Sequence, residues 1–147
     1  MKNTLLKTFS VSSFDVDNSG KVRLTSLANY LQETAYTHAN SLNLGYQQLA
    51  GKEQAWILSR MRIQIDRYPV WDEEVVVETW PQGIEKLFAL RNFLIRDLQG
   101  RIIGKSQTCW LLVNVNSRRP VRIAPDFIPI EIRSEDRVFE DTVPKLE

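Results

Sequence analysis

Residues Lys21–Leu42 carry the pattern that most limits what this chain can fold into. Apolar residues fall at Leu24, Leu27, Ala28, Leu31, Ala35, Ala39 and Leu42. Steps of three and four residues place them along one side of a helix of about five turns. Thr25 or Ser26 is positioned to cap its start by accepting a hydrogen bond from an orphan backbone N–H. Gly45 follows the stripe, where a glycine can take the left-handed turn that ends a helix. From Ala55 to Val115 the text changes to strand patterns. One amphipathic helix and one long series of strands must bury their apolar faces on each other. The pattern predicts an α+β domain with a long helix laid across an antiparallel sheet.

The strands read as follows. Thr8–Phe14 is a weak first strand with Phe9 and Val11 on one side, and Asp15–Gly20 is a turn before the helix. Gly45–Glu53 reads as a loop or a frayed last turn. In Ala55–Ile65, Met61, Ile63 and Ile65 alternate on one parity while Trp56 and Leu58 sit on the other, so a bulge is expected near Ser59. Glu74–Trp80 is the next strand, which Pro81-Gln82-Gly83 is expected to break. Lys86–Asp97 and Arg101–Val115 form a hairpin across Leu98-Gln99-Gly100. This order of strand, long helix and four long antiparallel strands is that of the hot-dog fold, a central helix wrapped by a curved sheet.

With 147 residues, 43% hydrophobic and 25% charged, the chain suits one globular domain, expected over residues 1–130. Residues 131–147 read as an acidic extension or linker. The net charge of +1 is unevenly spread: residues 51–122 hold twelve Lys/Arg against eight Asp/Glu, and residues 123–147 hold three against seven. No dense basic run points to nucleic acid. No apolar run approaches the roughly 18–20 residues of a membrane span, and Met1–Thr8 lacks a signal-peptide core. The single cysteine, Cys109, agrees with a reducing compartment and a cytoplasmic location.

Three groups could carry chemistry. Asp15, Asp17, Ser19 and Gly20 open like a calcium loop, but its twelfth position holds Ser26 and its ninth holds Arg23, which speaks against an ion there. The same turn offers Asp17 beside the free N–H groups of a helix start, as a nucleophile or general base. On residue chemistry alone the simpler reading prevails, that Asp15 and Asp17 brace the turn and favour the helix dipole. His38 and Cys109, single examples of their kinds, have no partners for a metal site and read as packing residues. No cofactor motif is present.

Several stretches resemble the acyl-ACP thioesterases of plants and bacteria. They are LANYLQETAYTHANSLNLG on the helix, WILSRMRIQIDRYPVWDEEVVVETWP across two strands, and RNFLIRD with SQTCWLLVNVNSRRPVRI on the hairpin. The likeness covers about Val11 to Glu147. It implies a hydrolase that releases fatty acid from acyl carrier protein, built from two tandem hot-dog domains. This chain resembles the first of them, and Val143–Glu147 resembles the linker to the second. The resemblance places most catalytic groups in that second domain, around an Asn-x-His segment absent here. It implies for this chain the acyl-binding role, with Leu27, Leu31, Ala35, Trp56, Leu58 and Met61 lining a pocket. It also implies an acidic partner, acyl carrier protein, steered by Arg60, Arg62, Lys86, Arg91, Arg118, Arg119 or Arg122.

Two further readings stand beside it. In one the chain is a self-sufficient homodimeric acyl-CoA thioesterase, because Asp15-Val16-Asp17-Asn18-Ser19-Gly20 resembles the catalytic turn of some single-domain hot-dog enzymes, with Asp17 acting. In the other it is a non-catalytic acyl-binding or dimerisation module. All three predict self-association through the sheet.

Overall fold

The structure, a computed structural model, describes residues 4–129 and 137–139. The rest of the expected linker lies outside the described residues. The elements are β1 (Leu5–Ser10), α1 (Leu24–Ser41), α2 (Tyr46–Ala50), β2 (Gln54–Ile65), β3 (Glu74–Glu85), β4 (Phe88–Asp97) and β5 (Ile102–Asn114). The strands form one sheet in the order β1-β3-β4-β5-β2 with every pairing antiparallel. The α+β hot-dog architecture expected from the element order is the one observed.

The apolar stripe of α1 divides into two core regions. Leu27, Tyr30, Leu31 and Ala35 pack with Val75 and Val77 of β3, Phe93 and Ile95 of β4, and Ile103 of β5. Past the helix end, Leu42, Leu44 and Leu49 pack with Ala89, Leu112, Ile123 and Ile128. Both helix-cap expectations are corrected. The N-cap is Arg23, because Arg23 N–H already donates to Asp15 O at 2.8 Å and Val22 N–H to Pro69 O at 2.8 Å. The chain is therefore held in place before Thr25. At the other end Asn43 takes the left-handed conformation, at φ 59°, and Asn tolerates it because its short polar side chain can bond locally. Gly45 has a different cause: a Cβ there would lie 2.8 Å from Asn40 Oδ1 and 3.0 Å from Asn40 Cα, so only glycine lets α2 approach α1 this closely. Tyr46–Ala50, expected as loop, is that short helix.

The bulge predicted near Ser59 is present, as a register shift between Leu58 and Arg60. Two strand boundaries differ from expectation. The first strand starts earlier, and Ser13–Asp15 is a 3₁₀ turn. Pro81-Gln82-Gly83 does not end β3, since the ladder shifts register between Pro81 and Gly83 and continues to Glu85. A bulge absorbs the proline and gives Gln82 as the extra residue. Its side chain is put to use: Gln82 Oε1 accepts from Asn92 Nδ2 and from Gln107 Nε2, each at 2.8 Å. By strand alternation this buried polar cluster lies on the sheet face away from α1. On that face Phe139 packs under Arg62 and Lys105, whose charges stand 4.1 and 4.8 Å from its ring centre.

Candidate functional site

The apolar stripe of α1 is bulky at first and then small: Leu24, Leu27 and Leu31 give way to Ala35 and Ala39. Opposite the small residues stand Ala55 of β2 and Ala89 of β4, and the space they leave is a cavity of about 280 Å³. Leu42, Leu44 and Leu49 close it at the helix end, and Trp56, Pro81 and Trp110 line it from the sheet. Gln32, Tyr36 and Tyr46, all exposed, form its rim. Trp56 is fixed by its indole N–H, which donates to Leu44 O at 3.1 Å, and Trp110 by donation to Thr108 Oγ1 at 2.8 Å. Such a wall can hold an alkyl chain, which needs burial and no hydrogen bonds.

Of the six residues expected to line an acyl pocket, the cavity wall holds Ala35 and Trp56. Leu27 and Leu31 lie fully buried among the first core group, and Met61 packs on the same group. Leu58, half-buried on β2, is not in the wall. Ala39, Ala55, Ala89, Arg91 and Trp110 were not anticipated. The Leu-to-Ala change along the helix stripe is the signal that points to them, since a stripe that loses bulk must either meet larger partners or leave space.

Arg91 was expected to face a docking partner and instead turns inward. Its Nη1 donates to His38 Nδ1 at 2.8 Å and to Thr79 Oγ1 at 3.2 Å. His38 is 2% exposed. Burial first, and the Arg91 charge second, push its imidazole down to about 4. His38 is therefore neutral near pH 7, with Nδ1 as acceptor. In the unfolded chain it takes up a proton near 6.5, so the unfolded state binds more protons between the two values. Stability is expected to fall as pH drops from about 6.5 toward about 4. Urea denaturation across that window should show the decline, and His38→Gln should flatten it.

Asp17 lies before the first helical turn, whereas the helix wall of the cavity starts at Gln32. Its Oδ1 accepts from Ser19 N–H at 2.8 Å, Ser19 Oγ at 2.6 Å and Lys21 N–H at 3.2 Å. These bonds, the Ser19 hydroxyl foremost, lower its pKa. A carboxylate so engaged braces its turn. Asp17→Ala is expected to speed amide exchange at Ser19 and Lys21 while leaving ligand affinity of the cavity unchanged. Cys109 is fully buried, and burial raises its thiol pKa, which suits packing and not nucleophilic attack. Among the described residues no group of three or more His, Cys, Asp or Glu is placed to hold a metal. No described helix is long and apolar enough to cross a membrane.

The acyl-ACP thioesterase N-terminal domain model matches residues 2–130. The chain belongs to the acyl-ACP thioesterase family. It is 30% identical over 138 residues to the chloroplastic palmitoyl-acyl carrier protein thioesterase of Gossypium hirsutum, covering 89% of this chain and 32% of that one. It is 28% identical over 145 residues to the chloroplastic oleoyl-acyl carrier protein thioesterase 1 of Arabidopsis thaliana, covering 94% and 39%. An acyl-ACP thioesterase structure from Bacteroides thetaiotaomicron superposes with TM-score 0.86 at 28% identity, covering 98% of this chain and 58% of that one. The chain thus spans less than two thirds of each of these family members. The DHNA-CoA thioesterase of Staphylococcus aureus, at TM-score 0.75 and 13% identity over 82% of this chain and 80% of that one, shares the fold alone.

Proposed function

We propose that this chain supplies the acyl-chain-binding half of an acyl-[acyl-carrier-protein] thioesterase, which hydrolyses the thioester and releases free fatty acid. The observation that carries this is the apolar cavity between the alanine half of α1 and the sheet, in a chain of this family. Each methylene seated there contributes about 0.8 kcal/mol, so the cavity reads chain length additively until its end is reached. Residues 131–147 then act as the link toward a second hot-dog domain that holds the hydrolytic groups. The acidic substrate carrier is met by exposed cations, with Arg118 and Arg119 in the turn after β5 as candidates. The single buried thiol supports a reducing, cytoplasmic setting.

Among the described residues, β2 ends the sheet with β5 as its one neighbour, which leaves an edge for a second hot-dog sheet or a second copy. Light scattering should give a dimer, and a strictly monomeric mass would reject this pairing. The function is tested by thiol release and by ligand binding on a panel of acyl-ACP and acyl-CoA thioesters. Binding that strengthens with chain length, without turnover, is the expected result. A folded chain with no affinity for any acyl group would overturn the proposal. Turnover abolished by Asp17→Ala would instead establish the self-sufficient acyl-CoA enzyme.

A further inference from the structure

Among the described residues, Arg91 is the one charged side chain in the cavity wall. Among the described residues no carboxylate pairs with it. Its two acceptors, His38 Nδ1 and Thr79 Oγ1, are neutral and both engage Nη1. A guanidinium has five N–H donors, so Nε and Nη2 retain donors in the fork geometry that matches a carboxylate. Burial pushes Arg91 down to about 10, with no acidic neighbour acting in the opposite direction. Arg91 is half-buried with no anion beside it, so its remaining donors are open to a carboxylate entering the cavity. The neutral His38 adds no second charge, so the site matches a monoanion. The surrounding Ala39, Trp56, Ala89 and Trp110 select an apolar tail.

We infer that this cavity binds a fatty carboxylate, a free fatty acid, with its carboxylate on Arg91 and its tail against the alanine and tryptophan wall. The inference rests on the reading of the cavity as an acyl site and adds the identity of its headgroup. Thioester hydrolysis converts a neutral acyl carbonyl into this anion, so the released product would bind this site more tightly than an uncharged ester of equal length. Product would then compete with the incoming acyl chain.

The test is calorimetric titration of the 147-residue chain with decanoate, decanol and methyl decanoate, well above the carboxylate pKa. Decanoate is expected to bind more tightly than the two neutral ligands by on the order of tenfold to a hundredfold. Arg91→Leu should bring the three to parity, and Arg91→Lys, checked for native-like unfolding, should keep part of the gap. Equal affinities in the native chain overturn the inference and leave the acyl cavity standing. Binding of none of the three overturns both. A gap that survives Arg91→Leu places the anion elsewhere and also overturns it.

Discussion

Ala39→Phe is expected to weaken binding of long acyl chains by on the order of a hundredfold while sparing short ones. Ala39 is half-buried on α1, and its methyl faces the cavity at the point where the stripe has lost its bulk. A phenyl ring there displaces several methylenes of ligand, each contributing about 0.8 kcal/mol, and three or four of them account for the expected factor. The protein itself should tolerate the change, because the ring enters space that no side chain fills. Affinities measured along a series of chain lengths decide the matter. A break in the series, with affinity level beyond some length, is the expected shape. A uniform loss at every length would mean that the ring distorts the mouth, and an unchanged series would place the acyl chain elsewhere.

The fold is legible in the sequence, and the cavity only partly so. A helix stripe records which side faces inward, and Leu27, Leu31 and Ala35 all lie there. It does not record which inward side chains meet a partner and which meet empty space. That depends on the residues opposite, such as Ala55 and Ala89, whose positions follow from strand register. Register in turn depended on bulges. The one near Ser59 showed as a change of parity within a single strand. The one at Gln82 was hidden because proline and glycine are also the residues that end strands. Arg91 was misplaced for a related reason. A lone arginine in an alternating strand carries no sign of whether its side faces solvent or a helix. Only the placement of α1 over β4 brings it against His38.

Asp15→Ala is expected to destabilise the domain by about 2–4 kcal/mol, since it strips a buried acceptor from several donors. Tyr30 O–H donates to Asp15 Oδ2 at 2.7 Å and Ser12 N–H to the same oxygen at 3.1 Å. Tyr30 is 8% exposed and stacked on Phe9 at 4.6 Å, so its hydroxyl cannot turn to water without breaking that contact. The carboxylate thereby fixes the loop before α1 to the helix that follows it. Burial alone would raise the pKa of Asp15. The hydrogen bonds from Tyr30, Ser12 and Ser26 outweigh it and hold the group below its usual 3.8. A carboxyl with a depressed folded pKa contributes stability that is present above the unfolded value and lost as pH falls through the folded one. Denaturant midpoints should therefore decline in acid below about 4 for the native chain, in addition to the decline due to His38 at higher pH. Asp15→Asn should shrink that lower step while keeping an acceptor for Tyr30, the remainder belonging to Asp17, Glu73 and Asp97, whose pKa values are also lowered, and Tyr30→Phe should cost about 1–2 kcal/mol through the same contact. If Asp15→Ala instead left the midpoint unchanged, the entry to α1 would be held by the backbone bonds of Val22 and Arg23 alone, and the buried carboxylate would be incidental to the fold.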